Sequence, residues 1–104
     1  MAGIIGYAVV DRQGQLGQSL AVNHVDHLGA GDYRVWFNVP AGTAVQIVSN
    51  ADDGNNTLTL SAYGEPNQGP TCVRVKAQYL SWNPQTPGGA TSSIDAHFQL
   101  VIIQ

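Results

Sequence analysis

Apolar residues in this chain recur at every second position over short runs, and each run stops at a cluster of Gly, Pro, Asn or Asp. A side-chain period of two is the geometry of a strand with one face on a core. No window of helical length carries apolar residues at i, i+3, i+4 and i+7 with helix formers opposite. Short strands at regular spacing point to one all-β, antiparallel domain over residues 1–104, a β-sandwich, jelly roll or small barrel. About seven main strands with one short extra are expected.

The runs are read as follows. Ile4–Val10 is followed by a turn at Asp11-Arg12-Gln13-Gly14 and a short piece at Gln15–Gly17. In Leu20–Leu28 the alternation is mixed, with Leu20, Val22, His24, Asp26 and Leu28 on one face and Ala21, Asn23, Val25 and His27 on the other. That mixture suggests an edge strand or a bulge. Gly29-Ala30-Gly31-Asp32 is a tight connection. Tyr33–Asn38 points Tyr33, Val35 and Phe37 one way and Arg34, Trp36 and Asn38 the other. Pro40-Ala41-Gly42 turns the chain into Thr43–Asn50, where Val45 and Ile47 are expected to face inward. Asp52 to Asn56 reads as a hairpin loop, since Asp-Gly and Asn-Asn tolerate positive φ. Thr57–Tyr63 sets Leu58, Leu60 and Ala62 against Tyr63. Cys72–Leu80 sets Val73, Val75, Ala77 and Tyr79 against Arg74, Lys76 and Gln78. Trp82 to Ser93, rich in Pro, Gly, Thr and Ser, reads as the longest loop, and Asp95–Ile103 as the last strand.

The first and last strands are apolar on both faces. A strand covered on one side alternates, so these two are expected at the centre of a sheet with the second face covered by a partner subunit. Jelly rolls of the tumour-necrosis-factor and C1q type, which pair their terminal strands and assemble as trimers, offer an analogy of topology.

Charged residues make up 11% of the chain, against about 25% in an ordinary soluble domain. The polar surface therefore comes from Asn, Gln, Ser, Thr and Gly. A net charge of −3 argues against nucleic-acid binding and against a polybasic membrane anchor. No run approaches the length of a membrane span. Met1 to Gly3 lack a basic stretch, and Ile4–Val10 is too short for a secretory leader. Low charge nonetheless suits an extracellular or cell-surface setting. The strand-like end suits either a natural terminus or a domain taken from a longer protein. Cys72 stands alone and reads as a buried structural thiol.

Three stretches form a pattern: Val10 to Leu16, His27 to Asn38 and Asp95 to Ile102. Their order, V-x-x-x-G-x-L, then L-G-x-G-x-Y-x-V-x-F-N, then D-x-x-F-x-L-V, resembles a small all-β domain found in many bacterial proteins of unassigned function. The resemblance implies a fold and a bacterial origin, and no active site. Members often carry a cysteine after the Tyr-Val-Phe strand and another at the C-terminus. Here those places hold Val45 or its neighbours and Gln104, so no disulfide carries over.

Catalytic patterns are thin. No serine sits in a G-x-S-x-G context. Glu65 is the only glutamate, in a loop, where a glycosidase needs two positioned carboxylates. His24 and Asp26 share a strand face, but His27 lies on the opposite one, short of a zinc set. The Asp52–Asn56 stretch lacks the spacing of a calcium loop. The chain is therefore read as non-catalytic, without metal or cofactor.

The outward aromatics carry more. Trp36 lies beside Arg34 and Asn38 on the face opposite Tyr33, Val35 and Phe37. Tyr63 faces away from Leu58 and Leu60, and Trp82 stands beside Asn83. An indole flanked by amides and a guanidinium suits the C–H face of a sugar ring, and the same composition suits a subunit contact. The expected function is a lectin-like, carbohydrate-binding module acting as a homo-oligomer, with Trp36, Arg34, Asn38, Tyr63, Trp82 and Asn83 as ligand-binding residues. The alternative is a structural domain, of trimerisation or fibre-tip type, in a bacterial surface or secreted protein.

Overall fold

The computed structural model describes residues 3–51, 58–83 and 86–104, apart from the side chains of 79–83 and 86–92. Nine strands are present in that range: β1 (Ile4–Val10), β2 (Leu16–Leu20), β3 (Val22–Gly29), β4 (Asp32–Phe37), β5 (Val45–Asn50), β6 (Leu58–Gly64), β7 (Cys72–Asn83), β8 (Thr86–Ser93) and β9 (Phe98–Ile103). Single 3-10 turns occur at Ala41–Thr43 and Pro66–Gln68. The strands form two antiparallel sheets packed face to face. The first has the order β2-β1-β9-β5. The second has the order β3-β4-β7-β6, with β8 paired to β7. The chain is an all-β sandwich.

Alternation builds the core. In β4 the sequence buries Tyr33, Val35 and Phe37 and leaves Asp32, Arg34 and Trp36 partly exposed. Val73, Val75 and Ala77 of β7 lie on the same inner face. The first sheet answers with Ala8 and Val10 of β1 and with Phe98, Leu100 and Ile102 of β9. Each large side chain fully buried here contributes roughly 1.5–3 kcal/mol. Tyr33 ties the layers together. Its ring meets Phe98 edge-on at 5.1 Å. Its hydroxyl donates to the Arg12 carbonyl at 2.7 Å and accepts from the Ala96 N–H at 3.1 Å.

The turns follow their residue chemistry. Asp11 Oδ1 accepts from the N–H groups of Gln13 and Gln15, and Gly14 takes φ 84° to close that turn. Gly31, at φ 66°, forms the β3–β4 hairpin with Ala30. A Cβ there would sit 2.4 Å from the Ala77 carbonyl oxygen.

Terminal strands β1 and β9 pair antiparallel at the centre of the first sheet, as their doubly apolar sequences imply. The mixed alternation of residues 20–28 also has its reason. Ala21, at φ 60°, breaks that run, so Leu20 ends β2 in one sheet and Val22 begins β3 in the other. Strand β3 lies at an edge and carries a bulge between Val22 and His24.

Two expectations are corrected. Val45 and Ile47 face outward, at 59% and 49% exposure. The register of β5 on β9 sets Gln46 against Ile102 and Val48 against Leu100 on the inner face. Gln46 is accepted inward because its amide donates to the carbonyls of Ala41 and Ala44, at 2.7 and 2.8 Å. The described residues of the Trp82 to Ser93 stretch are strand and not loop. Strand β7 runs on to Asn83 and β8 returns along it. Backbone pairing to a strand already in place outweighs the poor strand propensity of Pro and Gly. The hairpin loop read at Asp52 to Asn56 lies outside the described residues.

The two outer faces differ in kind. On the first sheet, Leu20, Tyr7, Val101 and Ile47 form one row across the four strands, and Ile4, Ile103 and Val45 a second. None of the four strands contains a charged residue. On the second sheet the outer face is polar, charged and aromatic. Among the described residues no helix is long and apolar enough to cross a membrane.

Candidate functional site

The outer face of the second sheet is assembled by register. Strand β4 presents Arg34 and Trp36. The bulge in β3 turns His24 and Asp26 to the same side, opposite Trp36 and Arg34 respectively. Strand β7 adds Cys72 opposite Trp36 and Arg74 opposite Arg34, and β6 adds Tyr63 opposite Arg74.

Trp36 is held from the β3 side. Its indole stacks with the His24 imidazole at 5.6 Å, the planes 13° apart. Its Nε1–H donates to Asp26 Oδ2 at 2.9 Å. The bonding continues outward: His24 Nδ1 lies 2.7 Å from Asn23 Oδ1, and Asn23 Nδ2 donates to Asn38 Oδ1 at 3.3 Å. Half-buried Trp36 thus sits among exposed Asn23, His24 and Asn38.

Beside it lies a charge network. Two arginines directly opposite each other on adjacent strands repel. Glu65 stands between them, accepting from Arg34 Nε at 2.8 Å and from Arg74 Nη1 at 3.1 Å. Asp32 takes Arg74 in a two-pronged bond, with Nη2 at 2.6 Å from Oδ2. The Arg34 guanidinium, and then Arg74, holds the Glu65 carboxyl below the usual carboxylate range. Arg74 does the same to Asp32. Cys72 is fully buried beneath this face, and burial pushes its thiol pKa up, so it rests as a neutral thiol.

Glu65 also lines a cleft of about 250 Å³ at this end of the sandwich, together with Gly42, Thr43, Pro66, Gly69 and Pro70. The cleft depends on close backbone contact. A Cβ on Gly64 would lie 2.2 Å from the Gly42 carbonyl oxygen.

The structure brings together Trp36, Arg34, Asn38 and Tyr63 of the expected ligand-binding residues. It separates Trp82 and Asn83 from them. Trp36 pairs with the first residue of β7, whereas Trp82 lies ten positions further along the same strand. At about 3.3 Å per residue that is roughly 30 Å, too far to share one sugar ring. The side chains of Trp82 and Asn83 lie outside the described residues. His24, Asp26 and Glu65 join the site. A signal for Glu65 lay in the composition, since Arg34 and Arg74 sit in mid-strand and need a counter-charge.

His27 belongs elsewhere. On the inner side of β3 it stacks on Tyr33 at 4.7 Å, and its Nε2 lies 2.8 Å from Asp95 Oδ1. Among the described residues no three His, Cys, Asp or Glu side chains converge as metal ligands.

No protein-family model matches this sequence, and neither a curated protein nor a solved structure matches it. Fold and site together define an antiparallel β-sandwich with one uncharged apolar outer face and one polar aromatic outer face. The class extends no further than that description.

Proposed function

We propose that this protein is a non-catalytic, lectin-like carbohydrate-binding module that works as a homo-oligomer. One observation carries the reading: an oriented Trp36–His24 pair lies among the exposed amides of Asn23 and Asn38, beside the Asp26 carboxylate. Aromatic surface suits the C–H face of a pyranose, and amides and carboxylates suit its hydroxyls. Arg34 and Arg74 are matched by Glu65 and Asp32, which favours a neutral sugar over an anionic one. The same pairing supports a non-catalytic reading, because it commits the Glu65 carboxylate of the cleft to two guanidinium groups. Single sites of this kind bind weakly, and several copies in one particle raise the avidity.

A glycan-array screen of the purified protein, with Trp36→Ala as control, tests the reading. Specific hits lost in the variant are expected, with its far-UV circular dichroism unchanged. A blank for the wild-type protein sinks it. The second reading is an assembly domain of a bacterial surface or secreted protein. The apolar outer face of the first sheet supports it, and it requires a charge on that face, as in Ile47→Lys, to disturb assembly while Trp36→Ala leaves assembly intact.

A further inference from the structure

The outer face of the first sheet is the largest feature that a carbohydrate site leaves unused. Of the eight large apolar residues exposed among the described ones, four, Ile4, Leu20, Val45 and Ile47, lie on this face. Between them run the half-buried Tyr7, Val101 and Ile103. Contiguous exposed apolar area on this scale marks a contact surface.

We infer that two copies of this chain pack face to face through this surface, about a twofold axis. The inference rests on the homo-oligomeric part of the proposed reading and not on its carbohydrate part. Three observations select a second copy. The four strands carry no charge, so two identical faces meet without the like-charge repulsion that a charged face has for its own copy. The face is a single patch on one sheet. A patch that covers its own copy makes an isologous, twofold contact, whereas a threefold ring needs two different patches on each subunit. The area is sufficient for a reversible dimer. Four strands about 4.8 Å apart and about six residues long, at about 3.3 Å per residue, give a footprint of roughly 400 Å². Side-chain relief adds to that, so the two partners together bury somewhat more than about 800 Å², at the low end of specific interfaces, where contacts are weak and reversible.

Sheets in contact align at about −30°, and the ring of Tyr7 beside Val101 supplies the relief that two such faces interdigitate. The two Trp36 faces then point away from each other. One dimer thereby presents two binding faces on opposite sides, the geometry that cross-links multivalent ligands.

Sedimentation equilibrium of the wild-type chain, Ile47→Lys and Val45→Lys tests the contact. Both positions are open to solvent, so both variants are expected to fold, with circular dichroism as the check. The wild type is expected to dimerise with Kd of roughly 1–100 μM, and each variant to raise Kd at least tenfold. Three results overturn the inference. One is a trimer or larger species. Another is a dimer unchanged in both variants. The last is a wild-type monomer up to about 1 mM, with or without binding to neutral phosphatidylcholine vesicles. A blank glycan array beside an intact dimer removes only the carbohydrate reading, and glycan hits from a monomer remove only the dimer.

Discussion

Tyr33 shows how one atom can hold three segments. Its buried hydroxyl satisfies the Arg12 carbonyl before β2 and the Ala96 N–H before β9. Tyr33→Phe removes both bonds and is expected to cost about 1–3 kcal/mol, read from urea midpoints at constant m-value. Burial raises the Tyr33 pKa from 10.0 to about 12. Its contribution is therefore complete below pH 10 and is lost as pH rises through the folded value, and Tyr33→Phe should flatten that alkaline limb. Asp95 runs the other way. The Gly31 N–H, and then His27, hold its carboxyl below the ordinary 3.8. The stability it adds is present above that value and is lost as pH falls through the folded pKa. Asp95→Asn should therefore give a shallower fall in stability below about pH 4, read by urea unfolding across the acid range. Glu65→Gln should destabilise by leaving Arg34 facing Arg74. Adding Arg34→Gln should recover part of the loss in a double-mutant cycle. The sequence contained these residues but not their partners, because Asp95 and Gly31 meet across 64 positions of chain.

Among elements, register separates what periodicity can and cannot decide. In β4 strict alternation leaves one choice, and Tyr33, Val35 and Phe37 face inward as read. In β5 alternation alone favours burying Val45 and Ile47, yet the register buries Gln46 and Val48, and the Gln46 amide donates to two carbonyls of the Ala41–Ala44 turn in that phase. The β7–β8 hairpin shows the converse. Its Pro, Gly, Thr and Ser content reads as loop, yet the free edge of a twelve-residue strand supplies the backbone partners. Where β6 ends, Gly64 lies against Gly42. Gly64→Ala forces two backbone segments apart and is expected to cost about 1–3 kcal/mol, checked by thermal or urea unfolding.

The whole molecule divides its labour between two outer faces. Of the charges that stand in its described strands, all lie in the second sheet: Asp26, Asp32, Arg34, Arg74 and Lys76. Association through the uncharged face should therefore be insensitive to salt, or slightly strengthened, between low and high sodium chloride in sedimentation equilibrium. A steep loss with salt would point to the charged face instead. What the sequence determined by itself was the all-β class, the single core, the place of most strands and the central position of the terminal pair. Each follows from local alternation and turn chemistry, which the chain carries residue by residue. Tertiary structure alone decided the β3 bulge that turns His24 toward Trp36, the placing of Glu65 between two arginines and the outward turn of Val45 and Ile47. It alone separated Trp82 from Trp36. Those are facts of register and packing between segments distant in sequence, and a one-residue slip in pairing moves a side chain to the opposite face.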